Sequence, residues 1–282
     1  MSSINTRKSD IVWNYIGTIV SMASGFVLLP LLMHFLSSSE LGLWYVYVAL
    51  SNFAMLFEFG FNPTFARNIV YVISGARHLS IEGCDIKSVQ EGIDWHLLNT
   101  VIKASKVIYA ILAVVVLALL STIGSLYISF VASGMGSFDI WVSWGLFCAS
   151  VFLNLYFLWS ITVLRGYGDL AGENKAVVIG RAAQLSVSAI LLLLGYGLVG
   201  AAIGYLANAI LLRLSAVVML RKHKEIEKGR HSDTMPVEAS SIREIFLTIF
   251  HVAWRDGLVQ LAVYASTQAM SILSSIFLGL AE

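Results

Sequence analysis

Charge is scarce in this chain of 282 residues. Eighteen Lys and Arg with 17 Asp and Glu make up 12% of it, where a soluble domain carries about 25%. So little charge cannot clothe a water-facing surface of this size, and a lipid-facing surface removes the conflict. Cysteine is nearly missing. Cys84 lies in a polar stretch and Cys148 in an apolar one, which argues against a disulfide and against a thiolate metal site. No phosphate-cradling glycine loop, HExxH or nucleophile elbow occurs. No carboxylate pair falls inside an apolar run. We therefore expect no catalytic residue, no metal and no cofactor, and the chain does not read as an enzyme. A net charge of +1 gives no global field that points to nucleic acid.

Apolar side chains are abundant, at 58% of residues with a mean hydropathy of +0.81. A spanning helix needs roughly 20 mostly apolar residues. Such runs fall at 11–35, 41–63, 107–133, 141–164, 177–196, 198–220 and 257–280. The fifth and sixth are separated only by the turn Gly195-Tyr196-Gly197. The first is too long for a signal-peptide core, and no small-residue cleavage site follows it. The expected fold class is all-α, a polytopic integral membrane helix bundle.

Basic residues set the orientation, because cationic loops stay cytoplasmic. The N-terminal tail holds Arg7 and Lys8. The second connection holds Arg67, Arg77, Lys87, Lys103 and Lys106, and the fourth holds Arg165 and Lys175. The sixth holds Arg221, Lys222, Lys224, Lys228, Arg230, Arg243 and Arg255. The connections at 36–40, 134–140 and 195–197 hold none. This segregation puts the N-terminus inside. It opposes the orientation of seven-helix receptors and rhodopsins.

The long connections carry structure of their own. Residues 241–256 read as an amphipathic helix, opened by a capping box of Ser241 and Glu244. Such a helix lies in the interface plane, and in its simplest role it links two bundles. The charged stretch 222–240, with Pro236, reads as a flexible connector. A further helix is expected near 88–104.

Polar groups in lipid need partners or water. Asn14, Thr18, Ser21 and Gly25 share a face of the first span. Ser51, Glu58 and Asn62 share one on the second, and Ser143, Ser150 and Asn154 one on the fourth. Gln260, Tyr264, Thr267, Ser271 and Ser274 share one on the seventh. These faces either line a polar cavity or hydrogen-bond between packed helices. Glu58, Arg181 and Arg213 are charges within spans, at most ~10 Å from the inner boundary. Either they snorkel to the headgroups, or the arginines join Arg67, Arg165 and Arg255 in a cationic collar around an inward-facing opening. Arginine's planar fork suits phosphate, so the collar would attract an anionic lipid headgroup, with Asn14 and Asn62 beside it. Pro30 removes a backbone hydrogen bond from the first helix, which makes it a candidate hinge or a static kink.

The stretch from Asp10 to Ala76 contains N14-Y-I-G-T-I-V-S, F26-V-L-L-P-L-L, F35-L-S-S-S-E-L-G-L-W-Y-V and L56-F-E-F-G-F-N-P-T-F-A-R67. It resembles the N-terminal part of Wzx-type O-antigen and polysaccharide-unit flippases, within the multidrug/oligosaccharidyl-lipid/polysaccharide exporter superfamily. Residues 107–220 match in helix pattern. The family often has Asp where Glu58 stands, and the carboxylate is kept.

The resemblance implies a flippase for a polyprenyl-diphosphate-linked oligosaccharide. It would move that unit from the inner to the outer leaflet by alternating access between two six-helix lobes. A gradient of H+ or Na+ would drive it, with Glu58 as the coupling candidate and the arginine collar as the first diphosphate contact. The implied location is a bacterial inner (plasma) membrane, and the implied partners are membrane lipid and polysaccharide assembly proteins. Family members have about twelve to fourteen helices, and seven are expected here. Phe35–Glu40 and Phe277–Glu282 both read F-L-x-x-x-E, a short match of the kind an internal repeat would leave.

The expected architecture is one six-helix lobe plus the first helix of a second lobe. The expected division is 1–220 as that lobe, 221–256 as a cytoplasmic linker, and 257–282 as the opening of a missing second lobe. Alternatives are an ion-coupled drug antiporter of the same superfamily and an inactive truncated fragment. A membrane-embedded glycan polymerase fits poorly, because the three outward connections are short.

Overall fold

The computed structural model describes residues 8–80, 83–84, 90–132 and 138–277, and all side chains among them except those of 83–84 and 264–277. Helices α1 (Lys8–Phe35) and α2 (Ser38–Met55) form a hairpin. A capping box closes its turn. Ser37 Oγ accepts from Glu40 N–H at 3.3 Å, and Ser37 N–H donates to Glu40 Oε2 at 2.9 Å. A single 3-10 turn, Leu56–Glu58, leads to α3 (Phe61–Ile73). The two-residue strands β1 (Leu79–Ser80) and β2 (Gly83–Cys84) pair antiparallel. Helix α4 (Trp95–Leu119) continues through a π-helical turn, Leu120–Gly124, into α5 (Ser125–Val131). Then come α6 (Phe138–Tyr156), α7 (Leu158–Gly166), α8 (Leu170–Leu193), α9 (Gly197–Leu220), α10 (Lys224–Ser232) and α11 (Ala239–Phe277).

Among the described residues, six stretches are long and apolar enough to cross a membrane: Lys8–Phe35, Ser38–Glu58, Trp95–Val131, Phe138–Gly166, Leu170–Leu193 and Gly197–Leu220. The protein is thus a polytopic all-α membrane helix bundle. Its outer faces agree with a lipid solvent. Helix α1 exposes Ile11, Tyr15, Ile19, Met22 and Phe26, each more than half accessible. In water such a continuous apolar stripe would be a liability.

Inside, the buried apolar side chains form two clusters. One gathers Leu36, Tyr47, Ala113, Phe147, Leu155 and Leu198 at the end that holds the α1–α2 and α8–α9 turns. The other gathers Phe65, Leu98, Tyr109, Leu164, Ala216 and Ile249 at the opposite end. Helices α8 and α9 pack closely through small residues. A Cβ on Gly204 would collide with Ser188 Oγ, and one on Gly200 would come within 2.9 Å of Leu191.

Several boundaries differ from those the sequence predicts. The second span ends before 63, because Phe59 (φ 45) and Gly60 (φ 72) turn left-handed; glycine permits this, and the apolar F-G-F run hid it. The helix near 88–104 and the third span are one helix, started by Asp94, whose Oδ1 accepts from Leu97 N–H at 2.9 Å. The stretch 222–240 is not wholly a loose connector, since it contains α10. Ser241 does not open a capping box. Helix α11 already begins at Ala239, with Ile242 N–H donating to Glu238 O at 3.2 Å.

The amphipathic segment and the start of the seventh run are one unbroken helix. Gly257 does not break it, because its bare face packs on Phe59. The rest of the seventh run lies outside the described side chains from Tyr264 onward.

Candidate functional site

Polar groups collect where the two apolar clusters meet. Four elements contribute. Asn62 on α3 lies beside Thr162 on α7, whose hydroxyl donates to Asn62 Oδ1 at 3.0 Å. The Tyr109 hydroxyl on α4 reaches Thr162 Oγ1 at 3.4 Å. Glu58, Arg165 and Arg213 all lie near enough to act electrostatically on that tyrosine. A buried layer thus runs across the bundle, flanked by Ala54, Ala113 and Leu155 on one side and Phe61, Ile161 and Ala216 on the other.

The three charges near this layer are not equally committed. Glu58 Oε1 accepts from Asn62 N–H at 2.6 Å, at the N-terminus of α3, where the helix dipole favours an anion. Arg165 is claimed by Glu173 through two hydrogen bonds, one from Nε at 3.2 Å. Such a fork leaves little of the guanidinium free. Arg213 is different. It is 8% exposed, and its one hydrogen bond runs from Nη2 to Asn154 Oδ1 at 3.3 Å. Its Nε and Nη1 are buried without a partner among the described residues. A buried cation so poorly matched is costly.

The other expected site residues lie apart from this layer. Arg181 on α8 donates to Gln184 at 3.1 Å, and Asn208 on α9 donates to the same oxygen at 2.8 Å. Because α8 starts at Leu170, Arg181 stands eleven residues along it, about 16 Å. Arg67 is half exposed and pairs with Asp256 of α11 at 3.9 Å. Arg255 is exposed beside the Trp254 ring. Asn14 is exposed on α1 and meets Asn174 of α8 at 3.5 Å. Pro30 sits exposed within an uninterrupted α1. The arginines therefore have separate partners, and the structure does not join all of them into one ring.

Most of the polar faces bond between helices. Ser51 meets Tyr205 at 3.1 Å, and Ser143 meets Tyr47 at 3.1 Å. Sequence reasoning missed Tyr109, Thr162 and Glu173. Tyr109 and Thr162 are hydroxyls in apolar runs, which carry no periodic signal, and Glu173 lies in the polar first turn of α8, ahead of the apolar run at 177–196.

A second polar cluster closes the end where α4, α7, α8 and α10 meet. Asp169 caps α8 by accepting from Gly172 N–H at 2.7 Å, and His223 Nε2 lies 3.0 Å from its other oxygen. That histidine holds the Asp169 carboxyl below its usual range. Arg230 donates to Glu227 at 2.7 Å and to Asn99 at 3.0 Å, while Tyr167 donates to Glu227 at 3.3 Å. Burial pushes the Tyr167 hydroxyl up to about 12. Asp233 accepts from Asn99 at 3.1 Å and faces His96 at 3.3 Å. Its carboxyl is also held low, chiefly by Asn99.

No protein-family model matches the chain, and no curated protein does. A solved structure does. It is described as the outward-facing conformation of a multidrug resistance MATE family transporter of the MOP superfamily, and it is 21% identical with a TM-score of 0.62. The match covers 95% of this chain and 53% of that one. This chain thus spans about half the length of that transporter and shares its helix-bundle fold over that half.

Proposed function

We propose that the chain belongs to a membrane exporter of the same superfamily, moving a polyprenyl-diphosphate-linked oligosaccharide from the inner to the outer leaflet by alternating access. Residues 1–220 would be a six-helix lobe, 221–256 a linker, and 257–282 the opening of a second lobe. The membrane would be a bacterial inner membrane with the N-terminus cytoplasmic, and polysaccharide assembly proteins would be partners. One observation carries this reading. Arg213 is buried in a spanning helix with two of its nitrogens uncommitted. A cation kept in that state is ready for an anion from outside the fold, and a diphosphate suits its planar fork. The Asp10–Ala76 resemblance and the shared fold support the exporter reading. Arg181 and Asn62 are further contact candidates, with Arg67, Arg255 and Asn14 nearer the rim.

The test is complementation. The full chain is expressed in cells that lack their own O-unit flippase, and surface glycan is measured against lipid-linked glycan retained inside. Wild type should restore export. Arg213→Met and Arg181→Ala should insert normally and fail to restore it. Normal export in both would remove the arginine role.

A second reading is an ion-coupled drug antiporter. It rests on the carboxylate of Glu58 within the bundle and on the multidrug description of the similar transporter. Coupling to H+ or Na+ would run through Glu58 in either case. Lowered drug accumulation in wild type, lost in Glu58→Gln, with no glycan phenotype, would favour this reading.

A further inference from the structure

An apolar groove of about 630 Å³ lies between α4, α11 and the turn that joins α2 to α3. Helix α11 is apolar on two adjacent faces. Ile245, Ile249 and Ala253 are buried against the bundle. Phe246, Phe250, Trp254 and Leu258 follow at four-residue steps and line the groove, with Phe250, Trp254 and Leu258 40–50% exposed. The facing wall is Ile108 and Ile111 of α4, inside the Trp95–Val131 span.

The lining holds a single charge, Arg243, at one end. Lys103 stands at the same end. It is one helical turn before the lining residue Val107, and its ammonium reaches the carbonyl of Val237 at 3.3 Å. From Phe246 to Leu258 the helix rises ~18 Å, close to the ~15 Å of one leaflet's hydrocarbon.

We infer that this groove is a binding site for one anionic membrane phospholipid. Its headgroup phosphate lies between Arg243 and Lys103, and an acyl chain runs along Phe246, Phe250 and Trp254. The charge pattern selects the occupant: two cations at the polar end match an anionic headgroup, and the remaining walls offer no polar partner. An acyl chain carries no polar group that such walls would leave unsatisfied. This site does not depend on the transport reading.

Native mass spectrometry of the full chain, purified and exposed to phosphatidylglycerol or phosphatidylcholine vesicles, tests it. Wild type should retain one phosphatidylglycerol at about tenfold higher occupancy than phosphatidylcholine. Arg243→Ala should abolish that preference. Phe250→Ser should lose retention of both lipids, while Phe250→Leu keeps it and so reports on folding. A photo-crosslinking side chain at position 250 should capture phospholipid in intact membranes. Equal retention of the two lipids, an unchanged Arg243→Ala, or capture of polypeptide at position 250 would each overturn the assignment.

Discussion

Arg213 separates cost from use more cleanly than any other side chain in the bundle. Its guanidinium has lost water, and among the described residues Asn154 alone answers it with a hydrogen bond. Replacing such a group by an apolar side chain of similar reach is often neutral or stabilising. Arg213→Met should therefore leave thermal stability in detergent within ~1 kcal/mol of wild type, while export falls at least tenfold. A variant that both unfolds and fails would point to a purely structural arginine. Backbone freedom makes a second contrast. At Gly60 (φ 72) a Cβ would lie 2.6 Å from Asp256 Cβ and 3.0 Å from Ala253 O. Gly60→Ala should destabilise by about 1–3 kcal/mol and loosen α11. Gly145, mid-helix in α6, has nothing within 4 Å of its would-be Cβ. Gly145→Ala should raise stability by about 0.5–1 kcal/mol. Thermal melts of the two variants in one detergent decide both.

Helix α10 is the element whose attachment is most open to experiment. Asp169–His223 ties the residue before it to the start of α8, Asp233 ties the residue after it to α4, and Gly229 lies flat on the Trp95 ring. Both carboxyls are held below their usual value in the folded chain. A depressed folded pKa adds stability above the unfolded value of ~3.9, and that stability is lost as pH falls through the folded value. Hydrogen exchange over 224–232, corrected for intrinsic rate, should show protection at pH 7 that declines as the pH is taken below ~3.9. The Asp169→Asn, Asp233→Asn double variant should lose it at pH 7. Persisting protection in both would mean that the Gly229–Trp95 packing and the Arg230–Asn99 and Tyr167–Glu227 hydrogen bonds hold the helix without the two carboxylates. This element also shows where sequence reading stops. The spans were legible because a run of apolar side chains is a local property, and so was the Gly195–Gly197 turn. The anchoring of α10 was not, because Lys224–Ser232 carries a single apolar side chain, Ile226, and its partners lie more than fifty residues away. The Tyr109–Thr162 contact, between residues 53 apart in the chain, was hidden for the same reason, and the Phe59–Gly60 break was hidden by the apolar run around it. Glu58 and Arg213 were legible as charges in apolar runs, but not the fact that one caps α3 while the other stays uncommitted.

The whole bundle has an asymmetry along its axis that its two apolar clusters do not explain. The cluster that includes Leu36, Leu43 and Leu198 lies at the end whose turns lack Lys and Arg. The cluster that includes Leu98, Leu220 and Ile245 lies beside Arg77, Lys103, Arg165, Arg221 and Arg230. Packing alone would accept either orientation in a bilayer, because both clusters are equally apolar. Only the basic residues break the tie, since cationic segments resist translocation. Arg213 follows the same bias, seven residues, ~10 Å, from the end of α9 on the basic side. A reporter active only outside the cell, fused after Gly134, should be active, and the same reporter fused after Lys228 should be silent. Placing two lysines at Ser38 and Ser39 opposes the bias on the first hairpin, and should cut activity of the Gly134 fusion severalfold. An active Lys228 fusion would invert the bundle, and Arg213 would then meet an anion arriving from the outer leaflet instead of the inner one.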